Sequence, residues 1–81
     1  MNVRVLLFAA AREVVGAREI ALALPEGAVA RDALDALCAR HPALAAHRGA
    51  LRVAVDGAYA RDDAALREGA EVAVIPPVAG G

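Results

Sequence analysis

The side chains in this 81-residue sequence that could do chemistry are few, and they do not assemble into a catalytic set. Its one thiol is Cys38, and its imidazoles are His41 and His47. Cys38 and His41 stand three residues apart, a spacing that lets a thiol and a base meet on one helix face. No third group is evident to orient such a dyad. Cys38 also falls on the apolar stripe of a predicted helix, where a buried structural cysteine is the alternative to a sulfur-handling thiol. His41 has a second explanation as a cation at the C-terminal end of that helix. His47 sits beside Arg48 with no metal-ligand spacing. Asp62-Asp63 could suggest a cation site, but a solvated turn has the same composition. No metal site is predicted, and no glycine-rich phosphate loop is present.

That leaves the ending, "VAVIPPVAGG", and its terminal carboxyl. Pro76 and Pro77 carry no backbone N–H and fix φ, so they end strand pairing and stiffen the exit. The six residues from Pro76 to Gly81 reach up to ~20 Å when extended. Gly80 and Gly81 have no side chains, so such a tail could thread a narrow channel and present an unhindered carboxyl. An α-carboxylate is ionised at neutral pH and is a poor electrophile. Acyl chemistry at Gly81 would therefore need activation by another protein. The alternative is an inert, frayed terminus.

The elements that must position this tail follow from the apolar pattern. Alanine accounts for 23 residues, so packing falls to Val, Leu and Ile, with Phe8 and Tyr59 the only aromatics. The sequence predicts a strand over 2–8, a short helix over 9–15 capped by Gly16, and a second strand over 18–24. "AVARDALDALCARH" has a helical stripe of Val29, Ala33, Leu34, Leu37 and Cys38, stopped by Pro42, although no Ser, Thr or Asn caps its start. Residues 43–50 are an unassigned connector. "LRVAV" is a third strand, Asp56-Gly57 a hairpin turn, "AYA" a short return strand, "DDAALREG" a turn or single helical turn, and "EVAVI" the last strand. The predicted fold is α+β, a mixed sheet packed on one main helix, in the β-grasp (ubiquitin-like) pattern. Residues 1–75 form the domain and 76–81 an extended Gly-Gly tail.

Strand parity then sorts the faces. Arg4 and Glu71 do not belong in a small core, so they mark the sheet face that the helix leaves uncovered. Leu6 and Phe8 share that face with Arg4, and Ala73 and Ile75 share it with Glu71. Tyr59 could join them from the hairpin. Scattered surface apolar residues are one reading of this set, and a patch for docking a partner beside the tail is the other.

Composition excludes several classes. A net charge of −1 with no basic stripe argues against nucleic acid and anionic membranes. All nine basic residues are arginines, so only the N-terminus offers an aliphatic amine. One cysteine cannot form an internal disulfide, which fits the cytoplasm. The opening "MNVRVLLFAAARE" has too short an apolar run for a signal peptide, and no segment reaches a membrane-span length.

"LFAAARE", the Asp-Gly hairpin followed by Tyr59, the ending "LREGAEVAVIPPVAGG" and the total length together resemble the small, sulfur-carrier subunits of molybdopterin synthase. The likeness runs end to end and is most specific at Pro-Pro-Val-Ala-Gly-Gly. Thiamine-pathway carriers share the fold and Gly-Gly but usually lack Pro-Pro and are shorter. The weakly capped helix and the missing lysines depart from the pattern without touching the tail. The resemblance implies that a ubiquitin-activating-like adenylating enzyme uses ATP to convert the Gly81 carboxylate into an acyl-adenylate. A sulfur donor protein then converts it to a thiocarboxylate. The tail would deliver that sulfur to cyclic pyranopterin monophosphate in the large catalytic subunit of a heterotetrameric synthase. By the same resemblance Gly81 bears the sulfur and Gly80 gives clearance. Phe8, Arg12, Tyr59 and Ile75, with Pro76, Pro77, Val78 and Ala79, would contact the partner. The chain would bind no cofactor and supply no catalytic acid or base. A carrier for thiamine, tRNA thiolation or cysteine synthesis, a ubiquitin-like protein modifier, and a plain binding module remain open beside this reading.

Overall fold

Alternation of apolar and polar residues builds the first strand. In β1 (Asn2–Leu7), Val3, Val5 and Leu7 are buried while Asn2 and Arg4 are exposed. The structure is a computed structural model and describes residues 1–77. Phe8 keeps extended geometry, but its carbonyl accepts the N–H groups of Ala11 (3.0 Å) and Arg12 (3.3 Å). That turns the chain into α1 (Ala9–Val15), so the strand stops one residue earlier than predicted. Gly16 closes α1 with φ 82°, a left-handed conformation that a Cβ disfavours. β2 (Glu19–Ala23) then returns antiparallel to β1.

α2 (Ala30–Arg40) has no side-chain cap of the Ser/Thr type at Val29. Its start is satisfied from elsewhere. The Asp32 carboxylate accepts the Val29 N–H at 2.8 Å, and the Ala30 and Arg31 N–H groups donate to the carbonyls of Ala64 (2.9 Å) and Asp62 (2.8 Å). The segment predicted as a turn or helical turn, 62–69, therefore contains no helix. It folds as turns around a bridge between Val29 and Ala65, with Leu66 buried. The connector after α2 resolves into α3 (Pro42–Ala45), with Pro42 at the N-terminal position its ring favours, and a 3₁₀ turn over Arg48–Ala50.

β3 (Arg52–Val55) and β4 (Ala58–Tyr59) form the predicted hairpin, with Asp56 at φ 50° and Gly57 at φ 89° in the turn. β5 (Glu71–Ile75) completes a five-stranded sheet in the order β2-β1-β5-β3-β4. The central pair, β1 and β5, is parallel and the other pairings are antiparallel. One face packs on α2: Leu34 and Leu37 are fully buried with Val3, Val5, Val72 and Val74. This is the α+β, β-grasp architecture.

Candidate docking face and tail exit

The face opposite α2 is laid out by register. One row runs across the whole sheet: Glu19 beside Leu6, Leu6 beside Ala73, Ala73 beside Ala54, and Ala54 beside Tyr59. A second row pairs Arg4 with Glu71 and Ala21. There the Arg4 guanidinium reaches Glu71 at 3.1 Å and Glu19 at 3.4 Å. A third row pairs Ile75 with Arg52, and Phe8, one residue past the Leu7–Val74 pair, extends it on the β1 side. Charge thus gathers around Arg4, Glu19 and Glu71, while the opposite end of the β1–β5 pair presents Phe8 and Ile75 with Arg52 beside them.

The exposed aromatics stand on opposite sides of this face, Phe8 at the end of β1 and Tyr59 on the edge strand β4. Phe8 is 47% and Tyr59 76% exposed, while Ile75 is half-buried. Ala54 and Ala73 lie between them and are small enough to leave a shallow floor. Neither alanine belongs to the core cluster under α2, which agrees with their position on the other side of the sheet. Arg52 and Ala54 were not among the residues singled out from the sequence. The parity of the third strand contained that signal.

Parallel pairing of β1 and β5 puts the C-terminal ends of both strands at the same edge. The start of α1, where Phe8 sits, and the exit of the chain at Pro76 are therefore neighbours. Pro76 is half-buried and Pro77 exposed. Together they wall one side of a mainly apolar groove of about 210 Å³, whose floor includes Ala10, Ala11, Val14, Leu44 and Leu51. Arg12 is exposed on α1, and among the described residues it forms no ion pair. So the structure brings Phe8, Arg12, Ile75, Pro76 and Pro77 to one edge and Tyr59 to the far side of the same face. Val78, Ala79, Gly80 and Gly81 lie outside the described residues.

The other side chains with chemical potential are placed apart. Cys38 is buried in the core on α2. Burial pushes its thiol above the usual range, the Arg48 guanidinium pulls it back, and the Asp35 carboxylate adds to the rise. His41 is the joint between α2 and α3: its N–H donates to the Leu37 carbonyl at 2.9 Å and its carbonyl accepts the Leu44 N–H at 2.8 Å. Asp62 and Asp63 are exposed, and Asp63 lies 3.8 Å from Arg61. No group of three His, Cys, Asp or Glu side chains that could hold a metal ion occurs among the described residues, and no helix there is long and apolar enough to cross a membrane.

The model of the ThiS family matches residues 5–81. The chain is 42% identical to the molybdopterin synthase sulfur carrier subunit of Chlamydomonas reinhardtii, covering all of both chains. It is 36% identical to that of Arabidopsis thaliana, covering all of this chain and 84% of the relative. Its fold is similar to the crystal structure of small archaeal modifier protein 1 from Haloferax volcanii, with a TM-score of 0.86 and 33% identity over 95% of this chain and 98% of that one.

Proposed function

Since the chain belongs to the ThiS family, alongside relatives named molybdopterin synthase sulfur carrier subunits, we propose that it carries sulfur on Gly81 for molybdenum cofactor synthesis. The observation that carries this reading is the parallel β1–β5 pair, which sets the tail exit beside an exposed apolar face. A carrier needs both: a surface for the partner to grip and a reactive end delivered next to it.

The chemistry is supplied by partners. A carboxylate oxygen of Gly81 attacks the α-phosphorus of ATP on an adenylating enzyme, and pyrophosphate leaves. Sulfide-level sulfur from a donor protein attacks the acyl carbon as the C–O bond to AMP breaks, which leaves the thiocarboxylate. The large synthase subunit then receives the tail, the sulfur passes to cyclic pyranopterin monophosphate, and the acyl C–S bond is cleaved by water to restore the Gly81 carboxylate. The chain's own part is positional. Phe8 and Ile75 anchor the partner, with Tyr59 and Arg12 at the margins. Pro76 and Pro77 hold the exit off the sheet, Val78 and Ala79 span the channel, and Gly80 leaves room for the reacting carboxyl. Residues 1–75 act as the grip and 76–81 as the arm.

The test is reconstitution: thiocarboxylated chain, large subunit and the cyclic pyranopterin should yield molybdopterin. Intact mass of the endogenous protein should show the gain expected from exchanging one carboxyl oxygen for sulfur. A chain that never acquires that sulfur and gives no product would overturn the proposal. The likeness to the archaeal modifier favours one second reading, attachment of Gly81 to lysines of other proteins. Peptide mass spectrometry for Gly-Gly remnants on other proteins' lysines distinguishes the two.

A further inference from the structure

The folded chain is poor in groups that could accept an acyl unit. Its sequence contains no lysine, no serine and no threonine. The nine arginines are permanent cations and do not act as nucleophiles. One aliphatic amine remains, at Met1. It donates to the Leu24 carbonyl at 2.7 Å and lies 3.9 Å from the Glu26 carboxylate, while the Leu24 N–H returns a bond to the Met1 carbonyl at 2.8 Å. The single thiol, Cys38, is only 8% exposed on the core side of α2. The single side-chain hydroxyl is the Tyr59 phenol, a weaker acyl acceptor than an amine. His41 and His47 would form acyl-imidazoles, which water hydrolyses.

We infer that this chain is built as an acyl donor and is a poor acyl acceptor, both for its own activated end and for that of a second copy. The inference rests on the carrier reading, because it concerns the fate of an acyl-adenylate at Gly81. An amine attacking that carbonyl forms a C–N bond as the C–O bond to AMP breaks. AMP leaves with the electron pair, and the amine's proton passes to solvent. An exposed lysine on the carrier would compete with the incoming sulfur for such activated ends. On this surface the activated carbonyl meets only a phenol, imidazoles and the hydrogen-bonded Met1 amine, so amide-linked chains of the carrier form slowly.

The folded full chain is treated with the N-hydroxysuccinimide ester of acetate at neutral pH, beside an Arg61→Lys variant, and followed by intact mass. Arg61 has a side chain 90% exposed and pairs only with Asp63, so the new amine is open and the fold is undisturbed. Arg18→Lys, also at an exposed position, serves as a second such variant. Acetylation of the native unsubstituted chain should be at least about tenfold slower than of either variant, since the Met1 amine is part-buried and held on the Leu24 carbonyl. In guanidinium the unsubstituted chain should gain one amine-linked acetyl group readily. Cys38 should react with Ellman's reagent about a hundredfold faster after unfolding. Native acetylation as fast as the variants', or a native thiol as reactive as the unfolded one, overturns the inference. The reagent stands in for the activating enzyme, so these results hold whether or not Gly81 carries sulfur. Failure of the carrier reading would appear in the reconstitution instead.

Discussion

Truncating Phe8 to alanine should separate docking from folding. The ring is 47% exposed in the free chain. An aromatic side chain buries about 150–250 Å² in full, so roughly 70–120 Å² of Phe8 is available to a partner. At about 25 cal/mol per Å² that area is worth about 2–3 kcal/mol. Alanine retains its methyl group, and ordering at an interface offsets part of the gain, which leaves an expected loss of about 1–3 kcal/mol. In Kd this is roughly a 5- to 150-fold weakening. The backbone work of Phe8 survives the change, because its carbonyl still accepts the Ala11 and Arg12 N–H groups. By the same arithmetic the ring's buried half is worth about 2–3 kcal/mol, so stability should fall by up to about 3 kcal/mol while the chain still folds. Titration calorimetry against the large subunit reads the first quantity and urea melts of the same samples read the second. Unchanged affinity in a folded variant would make Phe8 ordinary surface and refute the docking face as drawn.

Leu37→Ala removes a side chain with no exposure and should cost about 2–5 kcal/mol in denaturant melts, a large share of a small domain's stability. A loss below about 0.5 kcal/mol would contradict its place between α2 and the sheet. Ala9 has φ 48°, so Ala9→Gly should be neutral or stabilising by up to about 1 kcal/mol, whereas Ala10→Gly in the same helix should cost about 1 kcal/mol. Equal losses at the two positions in thermal melts would argue against the left-handed turn at Ala9. Deleting Gly81 shortens the tail by about 3.3–3.6 Å and should abolish molybdopterin formation with little change in stability. Gly80→Val should fold normally and react poorly in the same reconstitution, and full activity in either tail variant would remove Gly81 from the chemistry.

Parity made the outer face legible because one charged residue assigns a whole strand. Arg4 fixed β1 and Glu71 fixed β5, and the two prove to be direct cross-strand partners. Tyr59 could not be assigned that way: β4 is two residues long, and only its pairing with Ala54 sets the face. The start of α2 was illegible for a different reason. Its donors are satisfied by carbonyls more than thirty residues away, at Asp62 and Ala64, and no local motif records such a partner. The connector escaped because α3 is one turn long and alanine-rich, too short for a period, although Leu44 and Leu51 are both buried. The tail was legible as composition, through Pro-Pro and Gly-Gly, and its last four residues lie outside the described ones.

The direction of the central pair has the largest functional consequence and the weakest trace in the sequence. Had β5 run antiparallel to β1, the chain would leave the sheet at the Met1 edge, far from Phe8 and α1. Because the pair is parallel, Pro76 follows Ile75 out of the sheet at the edge where Phe8 begins α1. A partner seated on the apolar end of the outer face then receives the tail at its own margin, without the tail having to cross the sheet. Proline at 76 and 77 keeps β5 from adding further ladder bonds, so the exit direction is set by the rigid β1–β5 pair and not by the tail itself. Precision at a reacting carboxyl requires that the arm start from a fixed point, and β5, buried against α2 through Val72 and Val74, gives it one.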